Sequence, residues 1–65
     1  MQNEMLICFR EKLNFSLREM ANKIGVSKSY YEKIEYGDRV PSFNFIMKFK
    51  KAFPNENVEK FFFER

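Results

Sequence analysis

The stretch Ser16-Leu17-Arg18-Glu19-Met20-Ala21-Asn22-Lys23-Ile24-Gly25-Val26-Ser27-Lys28-Ser29-Tyr30-Tyr31-Glu32-Lys33-Ile34-Glu35-Tyr36-Gly37 decides the fold. Ser16 to Glu19 has the form of a capping box, in which the serine hydroxyl accepts a free backbone N–H and the glutamate reaches back. Leu17, Met20, Ala21 and Ile24 then recur at helical spacing, which predicts a helix over 17–24. Gly25 stands where a helix end commonly needs a left-handed backbone. Ser27 is a second N-cap and opens a predicted helix over 28–36, closed by Gly37 in the same way. Ile34 with Tyr30 or Tyr31 faces inward, and Lys28, Ser29, Glu32 and Lys33 are left outside. The stretch is therefore two short helices joined by a tight turn containing glycine. Ala21 is small where the two helices must cross, and Val26 plugs the corner.

Outward from this pair the pattern stays helical. Leu6, Phe9 and Leu13 share one face of a helix over about 3–13. Asp38 to Pro41 is a turn, and Ser42 is a third N-cap. A helix over 43–53 carries Phe45 or Ile46, Phe49 and Phe53 as its apolar stripe, and Pro54 stops it. A short last helix is expected over 56–63. No alternating run is long enough for a sheet, and there is no internal repeat. The expected fold is all-α, a compact bundle of about five short helices forming a single domain over residues 1–65.

Composition narrows the function. The chain has 65 residues, close to the lower limit for folding without staples. Cys8 is the only cysteine and histidine is absent, which removes disulfides and a His/Cys zinc site. Nine phenylalanines must then supply much of the core. No enzyme is expected: there is no histidine, no phosphate-binding glycine loop and no pair of carboxylates across a cleft. No cofactor and no small-molecule ligand are expected either. No apolar run approaches a membrane span, and Met1 to Glu4 lacks the basic start of a signal peptide, so the expected location is the cytoplasm. Cys8 is expected to be a small packing residue rather than a redox sensor.

Net charge is +3, and its distribution is more telling. Residues 10–51 hold ten Lys/Arg against five Asp/Glu, whereas the flanks hold four acids and two bases. The positive charge coincides with the helix pair.

Residues 10–53 resemble the Cro/CI-type helix-turn-helix family, also called the xenobiotic-response-element type. The resemblance rests on Arg10-Glu11-Lys12, Ser16 to Glu19, Met20 to Ser27, Lys33 to Gly37 and Pro41-Ser42. It implies sequence-specific binding to double-stranded DNA by a prokaryotic, phage or mobile-element regulator, most often a repressor. It implies that the helix over 28–36 enters the major groove with its N-terminal residues on base edges. Base reading then falls to Lys28, Ser29 and Lys33, with Tyr30 and Glu32 as neighbours. Lysine can donate to guanine O6 and N7, and serine can bond several bases. Phosphate contacts fall to Ser16, Leu17 and Arg18 and to Arg39, Ser42, Phe43 and Asn44, since helix starts favour anions. Arg10 and Glu35 resemble a pair that joins the first helix to the end of the reading helix.

Three positions depart from the family, as does the connector Pro54-Asn55-Glu56-Asn57. Leu17 replaces a common glutamine, so only its backbone can meet DNA. Tyr31 stands where an aliphatic residue usually packs. Lys50 stands where a small apolar residue is common. The triplet Phe61-Phe62-Phe63 cannot all face inward on one helix; it either packs on the domain or forms a homodimer interface. The competing function is a protein-interaction module on the same fold, such as an antitoxin or an anti-repressor partner, whose basic face is incidental.

Overall fold

In the computed structural model, residues 2–63 are described. They form five helices and no strand: α1 (Glu4–Lys12), α2 (Leu17–Ile24), α3 (Lys28–Tyr36), α4 (Phe43–Ala52) and α5 (Val58–Phe62). Each starts at a polar cap that is legible in the sequence. The hydroxyls of Ser16, Ser27 and Ser42 accept the N–H three residues on, from Glu19, Tyr30 and Phe45. Gly25 and Gly37 end α2 and α3 at φ 97° and 82°, in the left-handed region that other residues enter only under strain. The last helix is shorter than its apolar pattern suggests, because Asn57 caps it and its side chain accepts from Glu59 N–H.

Leu6, Met20, Ala21, Ile24, Tyr31, Ile34, Phe45, Phe49 and Phe61 form the buried core. Phe49 is its centre, with ring centroids 5.2 Å from Phe53 and 5.3 Å from both Phe61 and Phe62. Most of these rings meet tilted or edge-on, the favourable geometry for aromatic pairs. Each buried ring contributes roughly 1.5–3 kcal/mol of apolar transfer, which lets so short a chain hold a core. α2 packs on α3 and α4, α1 on α3 and α5, and α4 on α5.

Two expectations change, and one that was open is decided. Leu13, expected on the inner face of α1, is 37% exposed. The helix ends at Lys12, with Leu13 as its C-cap and Asn14 after it at φ 60°. Cys8, expected to pack, is exposed. Of the two placements open for the apolar tail, packing on its own domain accounts for Phe61, which is buried, and Phe62, which sits edge-on to Phe45 and Phe49, while Phe63 is 60% exposed. Phe61 is thereby unavailable as a subunit contact.

Candidate nucleic-acid interface

The turn between α2 and α3 is built from backbone hydrogen bonds. Gly25 and Val26 N–H both donate to Ala21 carbonyl, at 2.8 and 3.0 Å. Ser27 then caps α3 through a 3.1 Å bond from Tyr30 N–H. With the corner closed so tightly, Met20, Ala21 and Ile24 meet Tyr31 and Ile34 in the core. The opposite side of α3 is left to solvent.

On that outer side Ser29 and Lys33 are exposed, and Lys28, Tyr30 and Glu32 are half-buried. Lys28 Nζ lies 3.7 Å from Glu32 Oε1, one helical turn on. Such an exposed pair adds little to stability. Lys33 has no ion-pair or hydrogen-bond partner among the described residues through its ammonium, so its charge is open. Tyr30 is placed differently from its neighbours. Its ring packs edge-on against Phe45 at 5.8 Å, and its hydroxyl lies 3.3 Å from Ser42 Oγ, the cap of α4. It joins α3 to the start of α4 instead of standing clear of the surface.

α3 is bracketed by two helix starts. Near its N-terminus lies Ser42, held beside Tyr30. Near its C-terminus lies the start of α2, tied in by Arg10, whose Nη1 donates to Phe15 carbonyl at 2.9 Å. At both starts the first backbone N–H groups are without intrachain partners among the described residues: those of Leu17 and Arg18, and those of Phe43 and Asn44. These groups carry the positive end of a helix dipole. Arg18, Arg39, Ser42, Phe43 and Asn44 are all exposed, while Leu17 packs partly on the core. Ser16 is also exposed, but its hydroxyl and backbone are engaged in the capping box with Glu19.

Residues 9–56 match the family model for the helix-turn-helix. The chain belongs to the Cro/CI-type helix-turn-helix family. No curated protein and no solved structure matches it. Membership makes the α2–α3 unit a DNA-binding helix-turn-helix of a regulator family. Among the described residues no helix is long and apolar enough to cross a membrane.

Within this helix-turn-helix the ion pair anchors the end of α3. Arg10 Nε donates to Glu35 Oε2 at 2.6 Å and Nη2 donates to Glu35 Oε1 at 3.2 Å, a bidentate pair. Tyr31 hydroxyl donates to the same Oε2 at 2.6 Å. Glu35 is only 1% exposed, and these three donors satisfy it. The hydrogen bond to Glu35 raises the Arg10 guanidinium above its ordinary value. Burial, then the bond to Glu35, holds the Tyr31 phenol well above its ordinary value, so it stays a neutral donor. Tyr31 is thus the departure from an aliphatic core residue that completes the pair.

Asn3 is the residue that sequence reasoning missed. Its backbone N–H donates to Glu35 carbonyl at 2.8 Å, its Oδ1 caps α1 by accepting Leu6 N–H at 3.0 Å, and its Nδ2 donates to Phe61 carbonyl at 2.8 Å. One residue therefore ties together the starts and ends of α1, α3 and α5. An asparagine before Glu4 is a legible cap signal, but nothing local indicates the two distant carbonyls.

Proposed function

We propose that the chain is a sequence-specific repressor of a prokaryote, phage or mobile element, working in the cytoplasm as one domain over residues 1–65. α3 lies in the major groove of double-stranded DNA. Lys28, Ser29 and Lys33 reach base edges. Glu32 stands beside them to accept from a base amino group or to orient Lys28. Tyr30 sits at the edge of this set, beside the Ser42 cap, and serves the phosphate side. Ser16, Leu17 and Arg18 on one flank, and Arg39, Ser42, Phe43 and Asn44 on the other, hold the sugar-phosphate backbone. The observation that carries this reading is the open face of α3, where Ser29 and Lys33 stand exposed between two helix starts with free N–H groups.

Two copies are proposed to occupy a two-fold operator, since one helix reads only a short half-site. Within the apolar tail, Phe63 is the exposed ring left for such a contact.

The test separates reading from holding. Affinities for a selected operator and for scrambled DNA are measured at several salt concentrations, with folding checked by circular dichroism. Lys33→Ala lowers operator affinity by roughly 1–3 kcal/mol and leaves scrambled DNA less affected. Arg39→Ala lowers both by a similar factor and reduces the salt slope by about one unit. If Lys33→Ala changes both affinities equally, α3 does not read bases through that residue. If neither variant changes binding, the protein-interaction function replaces this one.

A further inference from the structure

We propose that the groove between the C-terminal halves of α2 and α4 docks an acidic segment of a partner protein, anchored by one apolar side chain. The groove is open, has a volume of about 380 Å³, and is lined by Lys23, Ile24, Gly25, Lys48, Lys51 and Ala52. It continues along α4 into a second recess lined by Met47, Lys48, Lys50 and Lys51. Four lysines thus surround a floor made of Ile24, Ala52, Met47 and the lysine methylenes.

No carboxylate lines either recess. The acids that might neutralise the lysines are committed elsewhere. Glu19, one turn before Lys23, is held by Ser16 N–H at 2.8 Å in the capping box. Glu56 pairs with Lys60 at 3.5 Å. Lys48 Nζ donates to Gly25 carbonyl at 3.3 Å and so serves the end of α2. Lys23, Lys50 and Lys51 have no hydrogen-bond or ion-pair partner among the described residues. Cations at helix ends are favourable in themselves, but that explains neither their gathering about one concavity nor its apolar floor.

The same features select the partner. A DNA phosphate is best held by the N–H groups at a helix start. This groove lies at the carbonyl ends of α2 and α4, and its floor offers apolar contact in place of hydrogen bonds. An acidic peptide meets both parts: its carboxylates reach the rim ammoniums, and an aliphatic side chain enters between them. The site is separate from the face of α3, so its failure and the failure of DNA binding are distinguishable.

The probe is a blocked peptide, Glu-Asp-Leu-Glu-Asp, with Gln-Asn-Leu-Gln-Asn as its neutral counterpart, titrated into isotope-labelled protein and followed by amide NMR. Shifts should centre on residues 23–25 and 47–52. They should weaken by about tenfold or more in affinity for the neutral peptide and for Lys23→Gln/Lys51→Gln. Both lysines are exposed, and an unchanged spectrum of the free variant shows that the fold is kept. If that variant does not fold, Lys50→Gln replaces it. Absence of shifts in the groove, or equal binding of the neutral peptide, overturns the proposal. It is also overturned if Lys23→Gln/Lys51→Gln keeps peptide binding, or if it lowers the salt slope for duplex DNA by about two units, which would assign the lysines to DNA.

Discussion

Removing Arg10 should be among the most damaging single changes in this protein. Glu35 is 1% exposed and receives two hydrogen bonds from the guanidinium and one from Tyr31. In Arg10→Met the carboxylate keeps only the tyrosine, and breaking such a buried pair typically costs about 3–5 kcal/mol. A domain of 65 residues has a total stability of roughly 3–10 kcal/mol, at about 0.05–0.15 kcal/mol per residue. The variant is therefore marginal at 25 °C, and urea unfolding should be followed in the cold. Arg10→Met/Glu35→Leu removes the stranded charge and should be more stable than Arg10→Met alone. Tyr31→Phe should be present throughout the cycle, so that no hydroxyl is left without its acceptor. A coupling between positions 10 and 35 below about 0.5 kcal/mol would refute the reasoning, since contacting residues in one network exceed that value.

Three further outcomes follow from particular contacts. Burial and Glu35 raise the Tyr31 phenol above its ordinary value, so the stability this contributes is complete below about pH 10 and is lost as pH rises beyond it; urea unfolding between pH 9 and 11.5 should show a shallower alkaline loss in Tyr31→Phe, and an unchanged slope would reject the assignment. Gly25→Ala should cost about 1–2 kcal/mol by thermal or urea unfolding, all of it from the backbone at φ 97°, because a methyl there meets nothing within 4 Å; Gly25→Asn should cost less, and an alanine tolerated at no cost would show that the turn can relax. Phe61→Ser should destabilise by about 3–5 kcal/mol, as a buried ring does, whereas Phe63→Ser should leave unfolding within about 0.5 kcal/mol of the parent; sedimentation of Phe63→Ser then reads the tail contact alone, and an unchanged monomer–dimer balance would remove Phe63 from any interface.

What the sequence by itself determined is local. Ser16, Ser27 and Ser42 announce helix starts because a cap needs only the N–H groups two or three residues on. Gly25 and Gly37 announce helix ends because a positive φ is a property of one residue. With the apolar spacing of Met20, Ala21, Ile24 and Ile34, these signals gave α2 and α3 their bounds and brought out the family, hence the binding of DNA. The Arg10–Glu35 pair was legible only through the resemblance; its third member, Tyr31, became visible once α1 and α3 were docked.

Tertiary structure alone decided the rest, because those contacts depend on where whole helices settle. Asn3 and Phe61 are 58 positions apart, yet a 2.8 Å hydrogen bond joins them. Which phenylalanine of the triplet enters the core depends on how α5 lies against α1 and α4, and a pattern of three identical residues carries no such information. Tyr30 and Tyr31 are adjacent and chemically alike; the position of α4 gives the Tyr30 hydroxyl its partner in Ser42, whereas the Tyr31 hydroxyl turns to Glu35 one turn along its own helix. The lysines of α2 and α4 were, in the sequence, two unrelated helix ends, and packing of the two helices placed them around one groove. Caps and periodicity are short-range and additive along the chain, while docking is a long-range compromise among all the apolar faces at once.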